Sequence, residues 1–174
     1  MEETPYPTDC SRCQALCCVY PAFDKSDMFD LDKAGGEPCP NLRADHRCAI
    51  HDGLATRGFA GCELYDCLGA GPRVVAMSDF AGRFWRDDEA TATAMFTAFR
   101  RLRDVHALAE LLATAKRLPL SPNQGRTVAR LLEALDLDRN WSGPMLEHIE
   151  RSGLGSEIRA FLVTLRGVAG QPGR

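Results

Sequence analysis

No cysteine lies beyond Cys67, which is the last of eight. The C-terminal part of the chain therefore has to be held by side-chain packing rather than by sulfur chemistry. Long apolar runs are also missing, and no stretch approaches the roughly 20 residues that a membrane-spanning helix requires. Positive charge is not in excess: 21 Lys and Arg stand against 24 Asp and Glu, a formal net charge of -3. Such a balance offers no overall basic field for nucleic acid or an anionic membrane surface, so neither is an expected partner. The opening Met1-Glu2-Glu3-Thr4-Pro5 lacks a basic segment followed by an apolar one. We accordingly expect no secretory signal and a reducing, cytoplasmic location. Phosphate-cradling glycine loops, a metalloprotease helix, a Gly-x-Ser-x-Gly elbow, internal repeats and low-complexity segments are all absent.

What is present is a compressed block of thiols: Cys10-x2-Cys13-x3-Cys17-Cys18, then Cys39, Cys48, Cys62 and Cys67. In a reducing compartment such a cluster is better explained by metal than by four disulfides, which would need an export route that the sequence does not display. A structural zinc ion closes with four nitrogen or sulfur ligands, so eight thiolates suffice for two sites. Adjacent side chains such as Cys17 and Cys18 diverge from the backbone. They more naturally serve two metals, or bridge within one cluster, than chelate one ion. An iron–sulfur cluster also takes four thiolates and is the competing cofactor, although the ferredoxin spacing is absent. His51, three residues after Cys48, has a spacing that suits chelation, and His46 is a further nitrogen nearby. Asp9, Asp52, Glu63 and Asp66 adjoin cysteines and are candidate acceptors or proton carriers around a metal.

Turn signals at Gly35-Gly36, Pro38, Pro40, Gly53, Gly58, Gly61 and Gly69-Ala70-Gly71-Pro72 leave little periodicity before residue 86. Helical turns are expected around Cys13–Tyr20 and Asp52–Arg57, and a short strand at Arg73–Met77. From Asp87 the character changes. Met95, Phe96, Phe99, Leu102, His106, Leu108, Leu111, Leu112 and Ala115 describe an amphipathic helix from about 88 to 117, with Asp87, Asp88 and Glu89 at its positive end and Pro119 stopping it. Ser121, Pro122 and Gln124 write a capping box ahead of Val128, Leu131, Leu132 and Leu135. Ser142 and Pro144 open a third helix, with His148 on a solvated face. Ile158, Phe161, Leu162 and Leu165 form the stripe of a fourth, and Gly170–Arg174 reads as a frayed tail. Arg100, Arg101 and Arg103 read as a solvated face rather than a phosphate site.

The Cys10-x2-Cys13-x3-Cys17-Cys18 string with its spaced single cysteines resembles the YkgJ-type cysteine-cluster family, over about the first 70 residues. Cys39-Pro40-Asn41-Leu42-Arg43, Cys48-x-Ile50-His51, Arg57-Gly58-Phe59-x-Gly61-Cys62 and Asp66-Cys67-x-Gly69-Ala70-Gly71 are similar to strings in the N-terminal module of some bacterial pentapeptide-repeat proteins. So is Phe84-Trp85-Arg86 through Met95-Phe96. The family pattern has two residues where this chain has three between its second and third cysteines, and commonly tyrosine at the place of His51. No five-residue repeat follows here. The resemblance implies a zinc- or iron-chelating domain.

Together these readings predict a mostly α protein with an irregular cysteine-rich metal-binding module over 1–86, packed on a bundle of about four helices over 87–174. The expected ligands are Cys10, Cys13, Cys17, Cys18, Cys39, Cys48, Cys62, Cys67 and His51, with zinc favoured and iron the alternative. The expected role is structural or metal-handling, with the helices presenting a surface to a protein partner. The competing functions are an iron–sulfur or open-site metal enzyme acting in redox or modification chemistry, and a thiol redox switch.

Overall fold

A computed structural model of the chain describes residues 6–136 and 139–169. Secondary structure is mostly helical. Among the described residues, extended pairing is confined to isolated bridges between Phe23 and Lys33, Ser26 and Phe29, and Leu42 and Cys48. The chain divides into two compact units, Met1–Arg100 and Arg101–Arg174. The expected frayed tail, Gly170–Arg174, lies outside the described residues.

The first unit is built from short helices joined by turns. Helix α1 (Leu16–Val19) begins after Ala15, whose φ of 58° reverses the chain. Single 3-10 turns at His51–Gly53 and Ala55–Arg57 occupy the second expected helical stretch. Helix α2 (Ala60–Leu64) follows Gly58, where φ is 78° and a Cβ would lie 2.8 Å from that of Asp30. The expected strand at Arg73–Met77 is instead helix α3 (Ala70–Val75). Local preference for Val74-Val75 loses to packing here. Ala70 and Val74, four apart on one helical face, are both fully buried, and Pro72 sits in the first turn, where no helical N–H is required. Leu16, Val19, Val74, Phe80, Trp85, Met95 and Phe99 are all buried in this unit. Each such large side chain contributes about 1.5–3 kcal/mol.

Helix α4 (Glu89–Ala115) fills the expected span. Asp88 caps it, its carboxylate accepting from the Thr91 backbone at 2.8 Å and hydroxyl at 2.7 Å. Met95, Phe99, Leu102, His106, Ala109 and Leu112 form its buried stripe. Two residues of the expected stripe behave differently. Leu111 is half exposed, and Phe96 stands at the edge with its ring 5.9 Å from Tyr20 and 6.3 Å from Trp85. His106, read as a core-edge residue, has no exposure at all.

In the second unit, helix α5 (Pro122–Leu135) carries the full capping box, with Ser121 and Gln124 exchanging backbone and side-chain bonds. Helices α6 (Gly143–Arg151), α7 (Leu154–Thr164) and the one-turn α8 (Arg166–Ala169) complete it. Ser142 stands at the N-cap of α6 without a side-chain capping bond. Ile158 and Leu165 are buried, whereas Phe161 and Leu162 are only half-buried. His148 is exposed, as expected. The Arg101 guanidinium is engaged by the Glu150 carboxylate at 2.7 Å, which uses one cation of the basic cluster within the fold.

Candidate metal centre

All eight cysteines are free thiols, and every one lies in the first unit. Their positions follow from local turns. Asp9 accepts from the Ser11 backbone at 2.9 Å and from its hydroxyl, folding Cys10–Arg12 into a 3-10 turn. Residues three apart on such a turn eclipse one another, which brings Cys10 and Cys13 to the same side. Those bonds from Ser11 also hold the Asp9 carboxyl below its ordinary range. The reversal at Ala15 then turns the backbone N–H groups of Leu16 and Ala15 toward the Cys13 sulfur. Ile50 makes the equivalent backbone bond to the Cys48 sulfur. Donors aimed at sulfur favour its ionised form, the form that binds a cation.

Two further segments join these thiols. The Cys39 backbone donates to the Cys18 carbonyl at 3.0 Å. The turn at 43–47, in which His46 takes φ of 62°, returns the chain so that Leu42 bridges to Cys48. Cys62 enters on α2, anchored by the Gly61 backbone donating to Met28 at 3.1 Å. Cys67 is pinned through Thr8, whose hydroxyl donates to Asp66 at 2.8 Å and stands 3.6 Å from the Cys67 sulfur. A Cβ at Gly71 would come within 2.6 Å of the Cys13 sulfur, so a larger residue there would displace that thiol.

The charges that the thiols exert on one another divide them into two sets. Burial pushes Cys13 up to about 11, aided by Cys67 and Cys10. Burial also raises Cys10, with Cys67 and then Cys18 adding to it and Arg47 opposing. Cys17 responds to Cys13 and Cys67 as well as to its neighbour. In the other direction, burial pushes Cys62 up to about 11 with help from Cys18, Cys39 and Cys48, and Cys48 is raised by burial, then by Cys18 and Cys39. One neighbourhood thus holds Cys10, Cys13, Cys17 and Cys67, the other Cys18, Cys39, Cys48 and Cys62. They meet at Cys17 and Cys18, whose sulfurs are 3.9 Å apart, and also through the influence of Cys18 on Cys10. The hydrogen bond of the adjacent pair lowers Cys18 and raises Cys17.

As the side chains stand, however, no three His, Cys, Asp or Glu among the described residues form a group able to hold a metal ion. Mutual electrostatic influence extends further than coordination distance, so neighbourhood and ligation are different statements. His51 is exposed, and its Nδ1 lies 3.8 Å from the carboxylate of the adjacent Asp52. Glu63 and Asp52 are exposed, while Asp9 and Asp66 serve turns. His46 packs its ring against Phe84 at 6.0 Å.

Lys33 had no signal in the sequence. It is 5% exposed, and its ammonium donates to the carbonyls of Val19 at 2.8 Å, Glu37 at 2.9 Å and Ala34 at 3.0 Å. Burial lowers its pKa, and the charges of Cys39, Cys18 and Cys62 act in the opposite direction. A fixed cation therefore sits beside the second set of thiols.

The raised thiol pKa values carry a pH dependence for the metal-free protein. Cys13 and Cys62, near 11 when folded, ionise at about 8.5 when unfolded. Their contribution to stability is complete below about pH 8.5 and is lost as the pH rises toward 11.

Comparison with known proteins adds one relative. The chain is 41% identical over 100 residues to the uncharacterized protein YybG of Bacillus subtilis (strain 168). Those residues are 58% of this chain but 36% of that protein, so the chain spans well under two thirds of its relative's length. No family model matches the chain, and no solved structure matches it.

Proposed function

We propose that this is a cytoplasmic metal-binding protein with two tetrathiolate zinc sites, one on Cys10, Cys13, Cys17 and Cys67, the other on Cys18, Cys39, Cys48 and Cys62. The observation that carries the reading is the gathering of eight free thiols in one unit, with Cys13 and Cys17 influenced by Cys67, Cys48 and Cys62 influenced by Cys18 and Cys39, and the two neighbourhoods linked at the adjacent pair and between Cys10 and Cys18. Four thiolates satisfy the tetrahedral preference of zinc, and neither set has a thiol to spare. His51 then remains outside both sites. The backbone N–H groups directed at Cys13 and Cys48 fit thiolate ligation, because they stabilise negative sulfur without adding a ligand. Lys33 offsets part of the negative charge that four thiolates would leave on the second site.

In this reading the metal is structural or held for transfer. The first unit has few regular elements with which to build a large core, and metal-binding energy in such modules is folding energy. Among the described residues no helix is long and apolar enough to cross a membrane, consistent with a protein that does not span one by a helix.

Elemental analysis of the full chain, purified anaerobically without added metal, should return about two zinc ions per chain. Less than one tightly bound transition metal would overturn the reading. A brown preparation that bleaches with dithionite would replace zinc with an iron–sulfur cluster on the same sulfurs. Because most of these thiols are raised above their ordinary range, zinc loading should also release protons and strengthen as pH increases.

A further inference from the structure

The sulfurs of Cys17 and Cys18, 3.9 Å apart, are close enough to react with one another after a modest shift. Both residues are half-buried, so the pair is not sealed within the core. They lie on α1, a single turn of helix entered through the left-handed Ala15. Such a short helix makes few backbone bonds of its own, and its carbonyls are tied to other segments instead. The Cys18 carbonyl accepts from the Cys39 backbone at 3.0 Å, and that of Val19 accepts from Gly36 at 3.0 Å. Any rearrangement at the pair is therefore passed to Cys39, a member of the second set.

A disulfide between neighbours in the chain is a strained one. Consecutive Cα atoms are about 3.80 Å apart across a trans peptide, whereas the Cα atoms of a disulfide usually lie about 4.4–6.8 Å apart. Closing the bond also draws the sulfurs together to about 2.0 Å. Strain of this kind makes a disulfide easier to reduce, which suits a reversible link better than a permanent staple.

We infer that Cys17 and Cys18 form a redox switch, in which a hydroperoxide closes a disulfide between them and a small thiol reopens it. One sulfur of the pair attacks a peroxide oxygen, the O–O bond breaks, and a sulfenic acid and one water result. The second sulfur then attacks the first, the S–O bond breaks, and another water leaves. Two electrons pass from the two sulfurs to the peroxide, and the two protons come from the thiols, or from solvent where the sulfurs are ionised. Reopening runs by thiol exchange through a mixed disulfide, and two small thiols leave as their own disulfide. The consequence for metal rests on the zinc reading above: because Cys17 belongs to one set and Cys18 to the other, a single disulfide takes a ligand from each site and releases both ions.

The full chain, purified anaerobically with its zinc and treated with stoichiometric hydrogen peroxide, tests this. Proteolysis and mass spectrometry should find Cys17 and Cys18 in one peptide, lighter by two hydrogen atoms and resistant to alkylation, while the other cysteines alkylate. A zinc-sensitive dye in the same sample should report the loss of about two ions per disulfide, and dithiothreitol with added zinc should restore both. Release of one ion per disulfide, linkage through another pair such as Cys10 and Cys13, or zinc loss that reduction does not reverse would overturn the inference. A purified chain without zinc would remove the metal reading by itself. Mapping on that metal-free protein still decides the switch, since a link between Cys17 and Cys18 upholds it and a link elsewhere sinks it.

Discussion

Serine at both positions 17 and 18 should reduce bound zinc from about two ions per chain to less than one and unfold the first unit. The effect is expected to be large because the two thiols belong to different sets while lying 3.9 Å apart. In the proposed arrangement, removing them takes one ligand from each site. Structural zinc sites contribute about 10–16 kcal/mol of apparent binding energy, more than an irregular module of this size could recover by packing. The single variants sharpen the test. Cys67→Ser should lose one ion and retain the other, Cys62→Ser should do the same, and the two losses should add. Zinc content unaffected by the double substitution would remove Cys17 and Cys18 from the ligand set. Loss of both ions from Cys67→Ser alone would replace two separate sites with one shared cluster.

Lys33→Met is expected to destabilise the first unit by on the order of 3 kcal/mol. The ammonium satisfies the carbonyls of Val19, Ala34 and Glu37 at once, at a position 5% exposed to solvent. Methionine fills a similar volume but leaves the Glu37 carbonyl without this donor, at about 1–3 kcal/mol, and takes a second donor from Val19 and Ala34, which keep backbone bonds from Gly36 at 3.0 Å and Glu37 at 3.3 Å. The substitution also removes the cation beside Cys18, Cys39 and Cys62, so zinc in that site should weaken more than zinc in the other. Urea unfolding can read this unit alone. The chain has two tryptophans, and Trp85 lies in the first unit while Trp141 lies in the second. A Trp141→Phe background leaves Trp85, which is 8% exposed, as the reporter. An unchanged midpoint would mean that the three carbonyls do not depend on Lys33.

The helical half was legible because its signals are local. Ser121 and Gln124 can be read as a capping box without knowing what surrounds them, since both partners lie within one turn of the helix they start. Met95, Phe99, Leu102, His106 and Leu112 announce a buried face by spacing alone. Leu111 belongs to the same apolar run but points away, because one residue turns a helix through about 100°. The strand expected at Arg73–Met77 failed for the opposite reason. Val74-Val75 favours extended backbone in isolation, and burial of Ala70 and Val74 on one face overrides that preference.

Cysteine number and the adjacency of Cys17 and Cys18 are properties of the chain itself, but the divergence expected of that pair is overturned by the fold, which brings their sulfurs to 3.9 Å. Which thiols are neighbours is not such a property. Cys67 reaches Cys10 and Cys13 because Thr8 and Asp66 pin the N-terminal segment against α3, and Cys39 reaches Cys18 through a backbone hydrogen bond across the turns between them. The same holds for Lys33 and Gln14, whose types suggest solvent but whose surroundings bury them. Spacing and capping act over a few residues and survive in a one-dimensional string. Burial and charge coupling between residues far apart in the chain exist only once the turns have closed.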